Sequence, residues 1–151
     1  MSLTVEAVRR YDDAAPDSDA TETATVALGC FWGPDARFGA MDGVVRTRAG
    51  YAGGTTPDPT YGEIGEAQRE ALSAYLDEEG MDPDDIETRL ESLEGFTLAE
   101  PYHQKYHSKS KRWATTVFRE AGYDSAGVRE SPAAAKLNGH VAGHDEADSH
   151  L

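Results

Sequence analysis

The sequence predicts an α/β (α+β) fold, a compact single domain in which helices flank a small mixed sheet. One observation is the apolar, β-branched run at residues 25–28, which ends at Gly29 ahead of a proline and an acidic residue suited to a first helical turn. The other is the period-two alternation of residues 44–51, which is typical of a strand. Strand, short helix and strand in this order form a βαβ-like unit. A chain of 151 residues can bury one core around such a unit.

The first half of the chain therefore carries three predicted elements. A strand covers residues 25–28, a helix covers about 34–41 until Gly43 ends it, and a second strand covers 44–51. Residues 53–61 contain two glycines and two prolines, which exclude regular structure. We expect a defined loop there.

The second half is predicted to be helical. Apolar residues recur at three- and four-residue spacings between Gly65 and Gly80, and Asp82–Pro83 is typical of the start of another helix. Residues 97–100 resemble a capping box and predict a third helix that runs to about residue 121. Gly122 then lies just beyond its end.

Composition divides the chain into three parts. Residues 1–22 are predicted to be a flexible acidic leader, since residues 10–22 are polar, acidic and small. Residues 23–130 are predicted to form the domain. Residues 131–151, rich in Ala, Gly, His and Asp, are predicted to be a loose tail.

The charge balance is the strongest compositional signal. The chain has 14 basic and 28 acidic residues, a formal net charge of −14, and a surface this negative repels nucleic acid and anionic membranes. Four of the basic residues are lysines. We therefore hypothesise an acidic, halophilic proteome in which salt screens the self-repulsion, with a merely acidic mesophilic protein as the alternative.

The sequence also predicts a cytoplasmic location. Met1–Thr23 has no apolar h-region, so we expect no signal peptide, and no stretch approaches the ~18–20 apolar residues of a membrane span. The single cysteine, Cys30, forms no intramolecular disulfide. We expect a monomer.

Cys30 is the predicted reactive centre. It lies where a strand gives way to a helix, and the partial positive charge of a helix N-terminus favours the thiolate form of a cysteine. Phe31 and Trp32 follow directly and could wall a small apolar pocket for a methyl-sulfur group, because sulfur–aromatic contacts are favourable. A buried, inert cysteine among packed aromatics is the alternative.

Three ordered blocks resemble the methionine sulfoxide reductase A family. The first is the run Gly29-Cys30-Phe31-Trp32-Gly33. The second is Gly43–Gly54 together with Pro57–Tyr61, and the third is Ala99–Tyr106. The resemblance covers about residues 23–65 and 95–107 and implies a reduced version of that family's fold.

The resemblance implies reduction of methionine S-sulfoxide, free or in proteins, as in the repair of oxidatively damaged proteins. Cys30 would be the nucleophile and would become a sulfenic acid. Phe31 and Trp32 would hold the methyl group, and Tyr61 would hydrogen-bond the sulfoxide oxygen. His103, Gln104 and Tyr106 match the late block and would serve the architecture. No cofactor or metal is implied.

The family's Gly-His-Ala-Glu block, whose glutamic acid supplies a proton, is absent after Tyr61. A central segment of several tens of residues is missing with it. Glu66 and Glu63 are the candidates for the proton donor, and solvated carboxylates at a helix start are the alternative. No second cysteine can resolve a sulfenic acid, so turnover would need thioredoxin or a low-molecular-weight thiol.

Two other functions stay open. The chain could be a degenerate relative that binds oxidised methionine or a protein partner without turnover, or a one-cysteine redox sensor. The basic island at residues 103–112 is interpreted as a solvated helix face. The histidines of the tail, His140, His144 and His150, are not expected to form a specific metal site.

Overall fold

Six helices and one pair of short strands make up the part of the chain that a computed structural model describes, residues 2–53 and 95–144. The mixed α/β class predicted from the sequence is confirmed. The helices are α1 (Val5–Ala14), α2 (Trp32–Ala40), α3 (Tyr106–Lys109), α4 (Arg112–Glu120), α5 (Ser125–Glu130) and α6 (Pro132–Val141), and the strands are β1 (Gly50–Ala52) and β2 (Phe96–Leu98). Two 3₁₀ turns cover Ser18–Ala20 and Pro101–His103.

The described residues belong to two units. One is drawn from Met1–Ala49 and Glu100–Leu151, and the other from Gly50–Ala99. The second unit holds the sheet, in which β1 and β2 pair antiparallel with Tyr51 opposite Thr97. A Cβ at Gly50 would overlap the backbone carbonyl oxygen of Thr97, so the pairing leaves no room for a side chain there.

The strand predicted at residues 25–28 is not formed. These residues have no regular structure, and the side chains of Val26 and Leu28 are 56% and 64% exposed. An apolar, β-branched run becomes a strand only where another strand accepts its backbone hydrogen bonds. Within residues 2–53 and 95–144, the one sheet is the β1–β2 pair, which does not include this run.

The second predicted strand is displaced. Residues 44–49 are not a strand, and β1 begins at Gly50. The reason is that side chains take over the backbone groups of this segment. The Gln104 amide accepts from the N–H of Ala49 at 2.8 Å and donates to the carbonyl of Ala49 at 2.7 Å. The Lys105 ammonium donates to the carbonyl of Thr47 at 2.6 Å.

The N-terminal segment, predicted as a flexible leader, instead forms α1 over Val5–Ala14. Thr4 caps it, and Val8 is fully buried in the core. The Asp12 carboxylate accepts hydrogen bonds from Ser131 Oγ at 2.6 Å and from the N–H of Ala133 at 2.7 Å. Asp12 thus binds the first turn of α6. Composition alone does not predict this contact, because it treats an acidic segment as solvated.

The tail predicted to be loose after residue 131 also forms a helix. Ser131 caps α6, Pro132 stands in its first turn, and residues 132–139 are buried. A run of alanine and glycine shows no clear apolar periodicity in the sequence. The small size of these residues nevertheless allows α6 to be buried within the first unit. Where the domain begins and ends along the chain stays a prediction.

The hydrophobic core of the first unit lies between α1, α4 and α6. It consists of Val8, Ala114, Phe118, Ala133, Ala134 and Leu137. Tyr123 packs at its margin and donates from its hydroxyl to Asp12 at 2.7 Å. Burial, followed by the Asp12 hydrogen bond, raises the pKa of Tyr123.

The third predicted helix is broken into shorter pieces. Thr97 and Leu98 belong to β2, Pro101 begins a 3₁₀ turn, and Lys105 has a left-handed backbone with φ +55°. A non-glycine residue at positive φ interrupts an α-helix. Helix α4 ends at Glu120, and Gly122 follows with φ +88°, as a glycine beyond a helix end does.

The helix predicted at residues 34–41 is observed as α2, which begins two residues earlier at Trp32. The helices predicted between residues 65 and 93, and the loop beyond residue 53, lie outside the described residues. None of the described helices is long and apolar enough to cross a membrane.

Helices α2 and α6 approach each other through glycines. A Cβ on Gly39 would overlap the carbonyl oxygen of Ala135 and lie 3.0 Å from its carbonyl carbon. A Cβ on Gly139 would lie 2.5 Å from the Cβ of Ala40 and 2.7 Å from the oxygen of Ala36. Both distances are far below van der Waals contact, so this crossing excludes even a methyl group.

Arg48 and Glu130 connect the segment before β1 to the end of α5. Arg48 Nε donates to Glu130 Oε1 at 2.8 Å, and Arg129 Nε donates to the same oxygen at 2.8 Å. The Arg48 hydrogen bonds, opposed by burial and aided by Arg129, lower the pKa of Glu130 to about 2. The pair is half-exposed, so its contribution to stability is modest.

We predict that Gly39→Ala lowers the free energy of unfolding by about 1–3 kcal/mol, because the added methyl forces the helices apart. Gly33→Ala in the same helix is the matched control, since a Cβ there meets nothing within 4 Å. The control should be neutral or stabilising by up to ~1 kcal/mol, as expected for alanine in place of glycine in a helix. Equal effects in chemical denaturation would contradict the close crossing.

We predict that Glu130→Gln destabilises the protein near neutral pH by about 1 kcal/mol or less. The Glu130 pKa is lower in the folded state, so the stabilisation is complete above the unfolded value and disappears as pH falls through the folded value. The difference between wild type and variant should therefore shrink as pH falls from 4.5 toward about 2. Urea midpoints measured along this range test it, and a constant difference would contradict the ion pair.

Candidate functional site

Cys30 lies two residues before the start of α2. Gly29 has φ +79°, a backbone that glycine adopts at no steric cost, and it turns the chain ahead of the cysteine. Phe31 is the N-cap residue, and α2 begins at Trp32. The thiol is free and exposed. The alternative of a buried cysteine is therefore wrong, and the reactivity of the thiol stays a prediction.

The two aromatic residues after Cys30 join a cluster formed with the late block of the sequence. The Phe31 and His103 rings lie 5.0 Å apart between centroids. The Trp32 indole stacks on Tyr106 with a centroid distance of 3.7 Å and an interplanar angle of 1°. Phe31 and Trp32 are both half-buried, so each ring is held on one side and keeps accessible area.

His103 is at the centre of this cluster and is 1% exposed. Trp32 Nε1 donates to His103 Nδ1 at 2.9 Å. On the opposite side of the ring, His103 Nε2 lies 3.4 Å from Glu100 Oε2, an electrostatic contact looser than a hydrogen bond. The Tyr102 hydroxyl donates to the same carboxylate oxygen at 3.3 Å, and the Tyr102 ring lies 3.9 Å from the His103 ring.

Helix α2 is anchored by a buried ion pair. Asp35 Oδ2 accepts from the backbone N–H of Lys105 at 2.9 Å, and Asp35 Oδ1 lies 3.9 Å from the Lys105 ammonium. Asp35 is 7% exposed and Lys105 is fully buried. Asp35 lies in the first turn of α2, as the sequence predicts for an acidic residue at this position. The sequence does not predict its contact with Lys105.

The Lys105 ammonium is satisfied by carbonyl groups as well as by Asp35. It donates to the carbonyls of Thr47 at 2.6 Å and Arg129 at 3.0 Å. Desolvation lowers the pKa of Lys105, and the charge of Asp35 opposes that shift. The contacts of Lys105 with Asp35 hold the late block, Ala99–Tyr106, against α2. His103 is thereby placed beside Trp32.

The structure leaves part of the predicted site untested. Tyr61, Glu63 and Glu66 lie outside the described residues, so their positions relative to Cys30 stay predictions. Cys30, Phe31 and Trp32 are described, and the last two are brought together with His103 and Tyr106.

The basic island was interpreted incorrectly in part. His103 and Lys105 are buried and bind partners inside the unit, so they do not belong to a solvated helix face. Lys111 and Arg112 are exposed, as that interpretation expects. No group of three or more His, Cys, Asp or Glu side chains in the described ranges is placed to hold a metal ion.

Sequence reasoning missed Glu100 and the central position of His103. No periodicity or spacing in the sequence indicates that residues some 70 positions apart share a hydrogen bond. The one usable signal was that the block with Glu100 and His103 contains three aromatic or imidazole rings within five residues, which is unusual for a solvated surface.

We predict that Lys105→Met lowers the free energy of unfolding by about 3–5 kcal/mol, because it leaves the buried Asp35 without its cation. Adding Asp35→Asn removes that uncompensated charge and should restore part of the loss. A thermodynamic cycle from urea unfolding should give a coupling of ~1 kcal/mol or more.

The matched control is Lys111→Met, at an exposed lysine. It should change stability by no more than ~0.5 kcal/mol. Additive effects of Asp35→Asn and Lys105→Met would show that the two side chains do not stabilise each other.

Comparisons with known proteins agree on one family. A family model described as peptide methionine sulfoxide reductase matches residues 22–82. A peptide methionine sulfoxide reductase of Drosophila melanogaster is 29% identical over 171 positions, which cover 80% of this chain and 68% of the relative. The peptide methionine sulfoxide reductase MsrA of Natronomonas pharaonis is 32% identical over 149 positions, which cover 60% of this chain and 84% of the relative.

Relatives that align over shorter stretches have a higher sequence identity there. The MsrA of Rhodospirillum centenum is 45% identical over 60 positions, which cover 40% of this chain and 27% of the relative. The alignment with the Natronomonas protein is 149 positions long but takes in only 60% of this chain. Many residues of that relative thus have no counterpart here, in agreement with the missing central segment.

Proposed function

This chain belongs to the peptide methionine sulfoxide reductase family, and we propose that it reduces methionine S-sulfoxide, free or in proteins, to methionine through Cys30. The observation that supports this most strongly is the exposed thiol two residues before α2, followed by two aromatic rings. The apolar surface of Phe31 and Trp32 suits the methyl group, and the adjacent thiol suits attack on the sulfur.

The chemical step balances with one proton. The Cys30 thiolate attacks the sulfoxide sulfur and forms a transient sulfur–sulfur bond. The oxygen then passes to the Cys30 sulfur as this bond and the sulfur–oxygen bond of the substrate break, which leaves a sulfenic acid on Cys30. Methionine is the reduced product and the cysteine is oxidised. The oxygen must gain a proton on the way, because the products are a neutral thioether and a neutral sulfenic acid.

Tyr61 is proposed to hydrogen-bond the sulfoxide oxygen, and Glu66 or Glu63 to supply the proton. Phe31 and Trp32 are proposed to hold the methyl group. Reduction of the sulfenic acid falls to an external thiol, thioredoxin or a low-molecular-weight thiol, because Cys30 is the sole cysteine. We propose that the protein works as a monomer in a salt-rich cytoplasm, to which its acidic surface is suited.

A second candidate function is binding of oxidised methionine or of a protein partner without turnover. The absence of the Gly-His-Ala-Glu block favours it, since the usual proton donor is missing. A one-cysteine redox sensor is the third candidate, favoured by the exposure of Cys30.

We predict that wild-type protein converts about one equivalent of a methyl S-sulfoxide peptide to thioether without any reductant, as the balanced step requires. A sulfenic acid on Cys30 should then be trapped by dimedone and found by mass spectrometry. Dithiothreitol should allow further turnovers. Cys30→Ser should give no thioether, and the R-sulfoxide peptide should stay unchanged.

The outcomes separate the candidates. If wild type and Cys30→Ser both bind the sulfoxide and neither forms thioether, the chain is a binding protein and the reductase proposal is wrong. A sulfenic acid formed with peroxide but not with sulfoxide would indicate the sensor. Each assay is run at low and at multimolar salt, so that a protein that is inactive only because the salt concentration is too low is recognised.

A further inference from the structure

An exposed surface with two cations and an aromatic ring lies at the start of α4. Lys111 and Arg112 are exposed, and Trp113 beside them is 50% exposed. We call these three residues the α4 surface. The core contacts of α4 are made by other residues, Ala114 and Phe118, which are buried. The indole of Trp113 is therefore presented to solvent on a helix that other side chains hold in place.

The two cations of the α4 surface form no ion pair with any of the described residues. Arg48 and Arg129, by comparison, both bind Glu130. Lys111 is the N-cap residue of α4, Arg112 is its first residue, and the first turn carries no acidic side chain. The positive end of the helix dipole disfavours cations. Helix stability therefore does not explain two adjacent cations here, in a chain with a net charge of −14.

The α4 surface lies close along the chain to the residues that border Cys30. Trp32 stacks on Tyr106, the first residue of α3, and α3 ends three positions before α4 begins. A helix rises about 1.5 Å per residue and an extended residue spans at most ~3.8 Å, so Tyr106 and Arg112 are at most roughly 16 Å apart. A typical protein–protein interface covers about 800 Å² of each partner, a disc roughly 30 Å across. One interface is therefore wide enough to include both the α4 surface and the exposed thiol.

We propose that the α4 surface is the docking site of an acidic dithiol protein that reduces oxidised Cys30. This inference rests on the proposed function, in which the sulfenic acid of the sole cysteine needs an external thiol. Two exposed cations suit a partner surface that carries carboxylates, which the net negative charge of this chain otherwise repels. Tryptophan and arginine are enriched among the residues that contribute most of the binding energy of an interface. Trp113 is accordingly the apolar anchor of the contact.

A protein reductant fits this surface better than a substrate or a small thiol does. Oxidised methionine occurs in many sequence contexts, so a fixed pair of cations would favour only some substrates. The dithiol protein is the same molecule in every cycle, and a dedicated surface therefore helps each turnover. A small thiol needs no such surface, because diffusion alone brings it to an exposed sulfur.

The reduction balances with the dithiol protein as the only added reactant. One thiolate of the partner attacks the Cys30 sulfur, the sulfur–oxygen bond of the sulfenic acid breaks, and the oxygen leaves as water. The second partner thiolate then attacks the partner sulfur of the mixed disulfide and releases Cys30. The two thiol protons of the partner end on the water and on Cys30. Cys30 gains two electrons, and the partner ends as a disulfide.

The test uses a stable stand-in for the sulfenic acid, so that it does not depend on sulfoxide reduction. The exposed Cys30 thiol is converted to a mixed disulfide with thionitrobenzoate, a coloured leaving group. An acidic thioredoxin or dithiothreitol then displaces the thionitrobenzoate. The second-order rate constant of this displacement is measured for each reductant, in wild type and in each variant.

Arg112→Glu and Arg119→Glu are the matched variants. Both reverse the charge of an exposed arginine of α4, but Arg119 lies at the opposite end of the helix. With thioredoxin we expect a loss of about ten-fold in Arg112→Glu and of no more than about two-fold in Arg119→Glu. With dithiothreitol neither rate constant should change. Glutamate is favourable in the first turn of a helix, so Arg112→Glu should fold.

Two results in this comparison would overturn the proposal. Equal losses in Arg112→Glu and Arg119→Glu would show an effect of net charge alone. A loss in Arg112→Glu that is as large with dithiothreitol as with thioredoxin would show that the substitution disturbs the thiol itself.

Salt separates the cations from the indole. Multimolar salt shortens the screening length to about 3 Å or less, so the loss in Arg112→Glu should shrink. The apolar contact is not screened, so Trp113→Ala should slow thioredoxin about ten-fold at low and at high salt. Thr115→Ala, at another exposed position of α4, is the control and should have no effect. A Trp113→Ala protein as fast as wild type at both salt concentrations would overturn the role of the indole.

Sulfoxide peptides distinguish a reductant surface from a substrate surface. With dithiothreitol as reductant, the ratio of kcat/KM for acidic over neutral peptides should be the same in wild type and Arg112→Glu. A lower ratio in Arg112→Glu, together with an unchanged thioredoxin rate, would show that the surface binds substrate and that the proposal is wrong. If wild type reduces no sulfoxide, the proposed function fails, while the displacement rates still decide whether the α4 surface docks the acidic dithiol protein.

Discussion

The buried ammonium of Lys105 is the constraint on which the arrangement around Cys30 depends. It joins three segments at once: α2 through Asp35, the segment before β1 through the carbonyl of Thr47, and the end of α5 through the carbonyl of Arg129. A charge placed this deep is stable only with several partners, because desolvation is costly. The backbone of Lys105 is left-handed, and its N–H donates a hydrogen bond to Asp35.

Small residues make this geometry possible. The face between α2 and α6 carries glycine and alanine, so the two backbones approach until a single added methyl would collide. Close helices bring the first turn of α2 toward the late block. A larger residue at Gly39 or Gly139 would move α2, and with it the segment that carries Cys30.

Two of the four lysines are buried. Lys105 and Lys136 are buried, and Lys136 donates to the carbonyls of Met41 at 2.6 Å and Val44 at 3.0 Å. These two ammonium groups therefore bind backbone carbonyls at helix ends and in loops. The halophilic source that the composition suggests stays a hypothesis.

The sequence by itself determined the family, the mixed fold class, the position of α2 and the candidate reactive group, because those depend on local patterns and on contiguous motifs. It did not determine which segments are buried. The run at residues 25–28 is predicted to be a strand and is exposed, while the segments of α1 and α6 are predicted to be loose and are packed. Burial depends on which elements meet, and that is a property of the whole chain.

The contacts of the candidate site were decided by tertiary structure. Cys30, Phe31 and Trp32 were found from one contiguous run, but the hydrogen bond from Trp32 to His103 spans 71 positions and the bond from Lys105 to Asp35 spans 70. No periodicity extends over such a separation. The sequence thus identified the thiol and its aromatic neighbours, and the fold decided what holds the indole in place, because hydrogen-bond partners are chosen by distance in space and not along the chain.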